Sequence, residues 1–161
     1  MKPIRNISPD EALSRLQNLC SAQEKCSSEA KEKLRKWNIE EALWENIIAK
    51  LEKDKFIDDQ RFAGYFVRDK QRIYKWGREK IRYALIKKGL AKEIIEEALA
   101  SLPKENFEAA LRDLLSKKSR ELAKYESYEK KNRLIRFAIQ RGFDFDLIFR
   151  IVDDFVKKPN D

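Results

Sequence analysis

A pattern of apolar residues recurs three times in this 161-residue chain, and it constrains the fold more than any other feature. Asn38, Gly89 and Gly142 each precede an apolar residue, and apolar side chains then return at offsets of 5, 6, 9, 10 and 13. In the first copy these are Leu43, Trp44, Ile47, Ile48 and Leu51; in the second, Ile94, Ile95, Ala98, Leu99 and Leu102. The third has Leu147, Ile148, Ile151, Val152 and Phe155. Such spacing lays one apolar stripe along a helix of 3.6 residues per turn. Four and eight residues ahead of the anchors stand Leu34 and Ala30, Leu85 and Ile81, Ala138 and Leu134, the stripe of a preceding helix. The anchors then fall just past a helix end, where the backbone turns to positive φ and glycine, or next best asparagine, is favoured.

The anchors are 51 and 53 residues apart, which leaves room for one more helix per unit. Residues 9–21, 58–74 and 103–123 are the candidates, the first opened by Ser8-Pro9-Asp10-Glu11, a capping box with proline at the first helical position. The expected fold is all-α: three tandem three-helix repeats, nine helices and no strand, stacked into an elongated, curved, right-handed-type array. The repeats are expected to span 1–56, 57–102 and 103–161. Each is too small to bury a full core alone, so stacked neighbours supply the rest. Pro103 and the polar stretch 124–132 are expected as joints, and only the residues after Phe155 as a disordered tail. Four glycines and four prolines among 161 residues suit helices and leave little for sheet turns or phosphate-cradling loops.

Composition also removes most chemistry. The chain has no histidine and two cysteines, Cys20 and Cys26, so histidine acid–base catalysis and nearly all zinc sites are excluded. The thiols are expected to be reduced and to lie in or near a helical core. No Gly-rich phosphate loop or carboxylate constellation stands out, and the expectation is a protein that is not an enzyme and holds no cofactor or metal. No run of 18 apolar residues is present to span a bilayer, and Met1–Ser8 lack the apolar run of a secretory signal; a cytoplasmic location is expected.

Thirty-six Lys and Arg against 28 Asp and Glu leave a net charge of +8, which favours polyanions or acidic protein surfaces as partners. Most of the excess sits in residues 68–88, where nine basic groups face only Asp69 and Glu79. Tyr74, Trp76 and Tyr83 interleave with them, a combination suited to backbone phosphates and base stacking. Ile81 and Leu85 must face inward, whereas Arg78 and Arg82 share another face and can point together at a partner. The candidate contact residues are Arg68, Arg72, Lys75, Trp76, Arg78, Lys80, Arg82 and Lys87. A solvated helix face and a core position for Trp76 are the competing structural readings. Just upstream, Asp58 and Asp59 read as a helix cap and a charge at the helix's positive end, rather than as an acid–base pair.

These residues resemble the signature of the RecX regulatory proteins. The similar stretch holds Ile57-Asp58-Asp59-Gln60-Arg61-Phe62-Ala63, Phe66-Val67-Arg68, Gly77-Arg78-Glu79-Lys80-Ile81-Arg82, Leu85 and Lys88-Gly89-Leu90. It lies in the middle unit; the flanking units agree in helix count and spacing but share little specific sequence. Lys75-Trp76-Gly77 stands where many members have a turn richer in glycine and proline. The resemblance implies three tandem three-helix repeats in a curved monomer that binds the RecA recombinase filament. Members of that family occupy the filament groove, oppose its growth on single-stranded DNA, and reduce strand exchange and ATP turnover. Single-stranded DNA is therefore an implied partner, with double-stranded DNA also open and no membrane. Two readings of the residues stand beside it. Helices 58–74 and 77–88 also fit a helix-turn-helix module acting on bare DNA, and a helical-repeat adaptor for an unrelated acidic protein fits the charge.

Overall fold

The computed structural model describes residues 6–156, and among these the chain is helical with no strand. Nine α-helices follow one another: α1 Pro9–Ala22, α2 Ser27–Lys36, α3 Trp44–Lys53, α4 Asp59–Arg72, α5 Arg78–Lys87, α6 Lys92–Ala100, α7 Lys104–Glu121, α8 Ser127–Gln140 and α9 Phe145–Ile151. Short 3-10 turns at Glu41–Leu43 and Val152–Phe155 lead into α3 and out of α9. The readings attached to Met1–Arg5 and to the tail beyond Val156 lie outside the described residues.

The helices expected over 9–21, 58–74 and 103–123 are α1, α4 and α7. Their starts follow local chemistry. Ser8 Oγ accepts from the Glu11 amide at 3.1 Å, and Asp58 Oδ1 from the Arg61 amide at 3.0 Å, each satisfying a donor that an α-helix leaves open. All three anchors have the expected left-handed backbone, with φ of 56° at Asn38, 75° at Gly89 and 89° at Gly142. Each closes the same Schellman turn. The Ile39, Leu90 and Phe143 amides reach back to the Leu34, Leu85 and Ala138 carbonyls at 3.0, 3.4 and 3.2 Å. Both apolar members of every turn are buried, so the repeat in sequence is also a repeat in hydrogen bonding and packing.

Three hydrophobic cores result. The first runs from Ile7 to Ile57 around Leu16, Leu34 and Leu51. The second gathers Phe62, Val67, Ile81, Leu85, Ile95 and Leu99, and it also takes Cys26 from the start of α2 and Phe107 from α7. The third, from Ala110 to Val152, centres on Leu111, Leu115, Leu134 and Ile148. At roughly 1.5–3 kcal/mol for each fully buried large apolar side chain, these clusters supply most of the folding drive. Cys26 and Phe107 are buried in a neighbour's core, which is how units of this size complete their interiors.

The stretch 124–132, expected as a joint, is mostly helix: α8 begins at Ser127, and only the turn before it separates α7 from α8. Its polarity belongs to an exposed first turn and a half of helix, supported by a Glu129–Arg133 pair four residues apart at 3.0 Å. Pro103 does stand at a joint, as the N-cap of α7.

Polar contacts fix neighbouring repeats to one another. Between the first and second, Asp59 accepts from the Ser27 amide at 2.9 Å and the Ser27 hydroxyl at 3.1 Å, so it caps α2 as well as adding charge at the start of α4. Arg61 Nε meets Glu24 Oε1 at 2.8 Å, and its Nη2 donates to the Lys55 carbonyl at 3.0 Å. Between the second and third, the Gly77 amide donates to the Arg141 carbonyl at 2.7 Å, and the Glu79 amide to the Gly142 carbonyl at 2.9 Å. A Cβ on Gly77 would overlap the Gly142 backbone, and one on Gly142 would overlap Lys80. Two glycines thus permit the backbones to touch where α5 starts and α8 ends.

Candidate functional site

The basic strip occupies the end of α4, the turn 73–77 and α5. Ile81 and Leu85 are fully buried, as their spacing requires, and hold α5 on the middle core. The cations around them fall into three environments.

Arg68, Arg72 and Lys87 are exposed, and no carboxylate pairs with them among the described residues. The Arg68 guanidinium lies over Tyr65 at 4.9 Å from the ring centroid, and Lys87 Nζ over Tyr83 at 4.9 Å. Arg72 ends α4, where its charge complements the helix dipole. Lys75 and Arg82, by contrast, are already committed. Lys75, in the left-handed region at φ 53°, pairs with Asp113 of α7 and holds that carboxyl below its usual range. Arg82 is 24% exposed and bonds Glu96 at 2.7 Å as well as Glu79. The Glu96 hydrogen bond, reinforced by Glu79, pushes the guanidinium pKa up, while Arg82 holds the Glu96 carboxyl down. Arg78 and Arg82 therefore do not reach outward as a pair. The Arg78 guanidinium lies 5.1 Å over Phe107, at the edge of the third repeat, with its Nε buried and without a hydrogen-bond partner.

Trp76 sits between these environments. It is half-buried against the middle core, and two ammonium groups lie at its ring: Lys70 Nζ at 4.8 Å and Lys80 Nζ at 4.5 Å from the centroid. Cation–π attraction of this kind steadies both lysines without neutralising them. Lys70 also lies 4.3 Å over Tyr74. The turn itself is pinned by three contacts: the Trp76 amide donates to the Lys70 carbonyl at 3.0 Å, Arg141 of the third repeat donates to the Tyr74 carbonyl, and Gly77 bonds Arg141.

Sequence reasoning left Lys70 out of the contact candidates, although the structure sets it over Tyr74 and Trp76 and its spacing of four from Tyr74 carried the signal. It also missed Arg141, which no local pattern reveals because its partner lies 67 residues away. Asp58 and Asp59 spend their carboxylates on backbone and hydroxyl donors. Cys26 is buried and Cys20 half-buried, both as free thiols whose pKa burial pushes up. Among the described residues no three His, Cys, Asp or Glu side chains gather to hold a metal, and no helix is long and apolar enough to cross a membrane. The arrangement offers charge and flat rings on a fixed backbone, which suits binding to an anionic partner.

Comparison with known proteins places the same architecture in a family. Residues 58–99 match the family model described as RecX, second three-helix domain, and residues 105–152 match RecX, third three-helix domain. The regulatory protein RecX of Clostridium botulinum (strain Eklund 17B / Type B) is 40% identical over 101 residues, which cover 62% of this chain and 47% of that protein. That of Clostridium acetobutylicum is 34% identical over 140 residues, covering 84% of this chain and 64% of the relative. This chain thus spans about half to two thirds of the length of the curated relatives it matches. The crystal structure of RecX from Lactobacillus salivarius superposes with a TM-score of 0.83 at 25% identity, over 91% of this chain and 95% of that one. Matched models across the second and third repeats, and a shared fold across nearly the whole length, lead to one conclusion: the chain belongs to the RecX family of regulatory proteins.

Proposed function

We propose that this protein is a negative regulator of the RecA recombinase, a monomer that lies in the groove of the RecA–single-stranded DNA filament. There it limits filament growth, ATP hydrolysis and strand exchange, in the cytoplasm and without chemistry of its own. Family membership supports the partner. The observation that carries the mode of action is the strip on α4 and α5, where Arg68, Arg72 and Lys87 face solvent unpaired among the described residues and Lys70 and Lys80 stand beside Trp76. Cations held ready on a backbone braced by the neighbouring repeat can meet phosphates with little ordering cost. Several such contacts on one body add through effective concentration, so no deep pocket is required.

The test is the recombinase's ATPase on single-stranded DNA, with this protein added before or after filament assembly. Groove binding predicts inhibition in either order. Inhibition only before assembly would replace it with end capping or competition for DNA, and no inhibition in either order would refute the reading. Tight binding to bare DNA with a steep salt dependence and no effect on the recombinase would favour a plain DNA-binding module.

A further inference from the structure

The two aromatic residues of the α4–α5 turn are adjacent in sequence pattern but differ in what their rings can do. Trp76 has ammonium groups within 5 Å of its ring centre from both Lys70 and Lys80, and it packs against the middle core. Its ring is already occupied. Tyr74 is 51% exposed, and Lys70 is the one cation placed over its ring among the described residues. Its neighbour Ile73 is 66% exposed, so the two side chains form an apolar tip beside the cations. That turn is fastened to the third repeat through Arg141 and Gly77 and to α7 through the Lys75–Asp113 pair.

We propose that Ile73 and Tyr74 form a base-stacking tip for single-stranded nucleic acid, with Tyr74 taking the face of an unstacked base and Trp76 acting as a positioning residue that sets Lys70 and Lys80 against the flanking phosphates. Charge complementarity selects this ligand: Lys70 lies over Tyr74, Lys70 and Lys80 lie at Trp76, and exposed Arg72 ends the helix that leads into the turn. An aromatic ring beside a line of cations is the shared physics of sequence-tolerant single-strand binding. The turn's fixation means that neither side chain needs backbone ordering on binding. The inference rests on the reading of the strip as a nucleic-acid contact, but it adds that bases as well as phosphates are recognised.

The experiment uses the full chain and two labelled strands of equal length, about 20 nucleotides each: oligodeoxythymidylate and an abasic strand with the same phosphates. Fluorescence anisotropy should show the base-bearing strand bound about tenfold more tightly. Tyr74→Ala should abolish that preference, weakening abasic binding only by what the loss of the ring under Lys70 costs both strands alike, and Tyr74→Trp should keep it. Trp76→Phe should retain the base preference yet weaken both strands and flatten the salt dependence, which a purely structural role would not do. Equal binding of both strands by the natural protein, retained preference in Tyr74→Ala, or no binding to either strand would overturn the proposal. Because bare strands are used, inhibition of the recombinase's ATPase is scored separately: it can persist when base preference is absent, and fail when base preference is present.

Discussion

Gly77, Gly89 and Gly142 carry three different loads, and single alanine substitutions separate them. Gly89 has φ of 75° and open space where a Cβ would go, so Gly89→Ala meets only the left-handed penalty, about 1–2 kcal/mol. Gly77 lies at negative φ and would clash with the Gly142 backbone, an overpacking cost of roughly 1–3 kcal/mol. Gly142 combines φ of 89° with a clash against Lys80, so Gly142→Ala should be the most destabilising, at roughly 2–5 kcal/mol. Urea unfolding of the three variants gives the order, and a Gly142→Ala loss no larger than that of Gly89→Ala would contradict the close approach. The sequence pattern marked Gly89 and Gly142 as helix ends because that need is local. It could not show that Gly142 also abuts Lys80 or that Gly77 needs its missing side chain, since both depend on contact between repeats. Lys55 and Lys75 at φ of 61° and 53° were equally illegible, because lysine is no marker of that conformation. Asp144, the residue before α9, offers a pH test at the same scale. Burial raises its carboxyl pKa, with Glu79 adding to the rise against the pull of Arg78 and Arg82. The folded state therefore holds the proton more tightly than the unfolded chain, and this group costs stability as pH rises above the ordinary aspartate range. Asp144→Asn should raise the urea midpoint at pH 7, with the gain shrinking toward pH 4.

Among elements, α4 and α5 show why charge counting located the strip but not which of its cations stay unpaired. Composition placed nine cations in residues 68–88, and helical periodicity set Ile81 and Leu85 inward. Which cations stay unpaired depends on Asp113 from α7 and Glu96 from α6, whose approach no local spacing encodes. Arg82→Ala should therefore lower stability by about 1 kcal/mol, since it frees two carboxylates from a partly buried partner. Arg68→Ala should stay within about 0.5 kcal/mol of the natural protein. Thermal melts of the pair would expose the difference, and equal melting would mean that the Arg82 network contributes nothing. The Asp58-Asp59 block divides similarly. The cap on α4 was readable from sequence, whereas the reach of Asp59 to Ser27 was not, because 32 residues separate them. Asp59→Ala should cost roughly 1–2 kcal/mol through the unsatisfied start of α2.

For the whole molecule, the middle core is completed by Cys26 from the first unit and Phe107 from the third, so the repeats share stability as neighbours in a stack. Cys26, the N-cap of α2 in the first repeat, is fully buried in the second core. Its labelling by a thiol reagent should follow the opening of that joint, while half-buried Cys20 reacts in the folded protein. Equal labelling of both thiols without denaturant would contradict the shared core. The all-helical architecture was legible because every repeat restates the same turn and stripe; the joints were not, because they are made of unique pairs such as Gly77 with Gly142 and Asp59 with Ser27. Those joints hold the cation strip in one place on a body of three units, and the proposed regulatory role rests on that strip. The most direct measurement is the recombinase's ATPase on single-stranded DNA with the Arg68→Glu/Arg72→Glu variant, its helicity and melting temperature matched to the natural protein. Regulation through the strip requires that inhibition weaken at least about tenfold at physiological salt; unchanged inhibition by the folded double variant would contradict it.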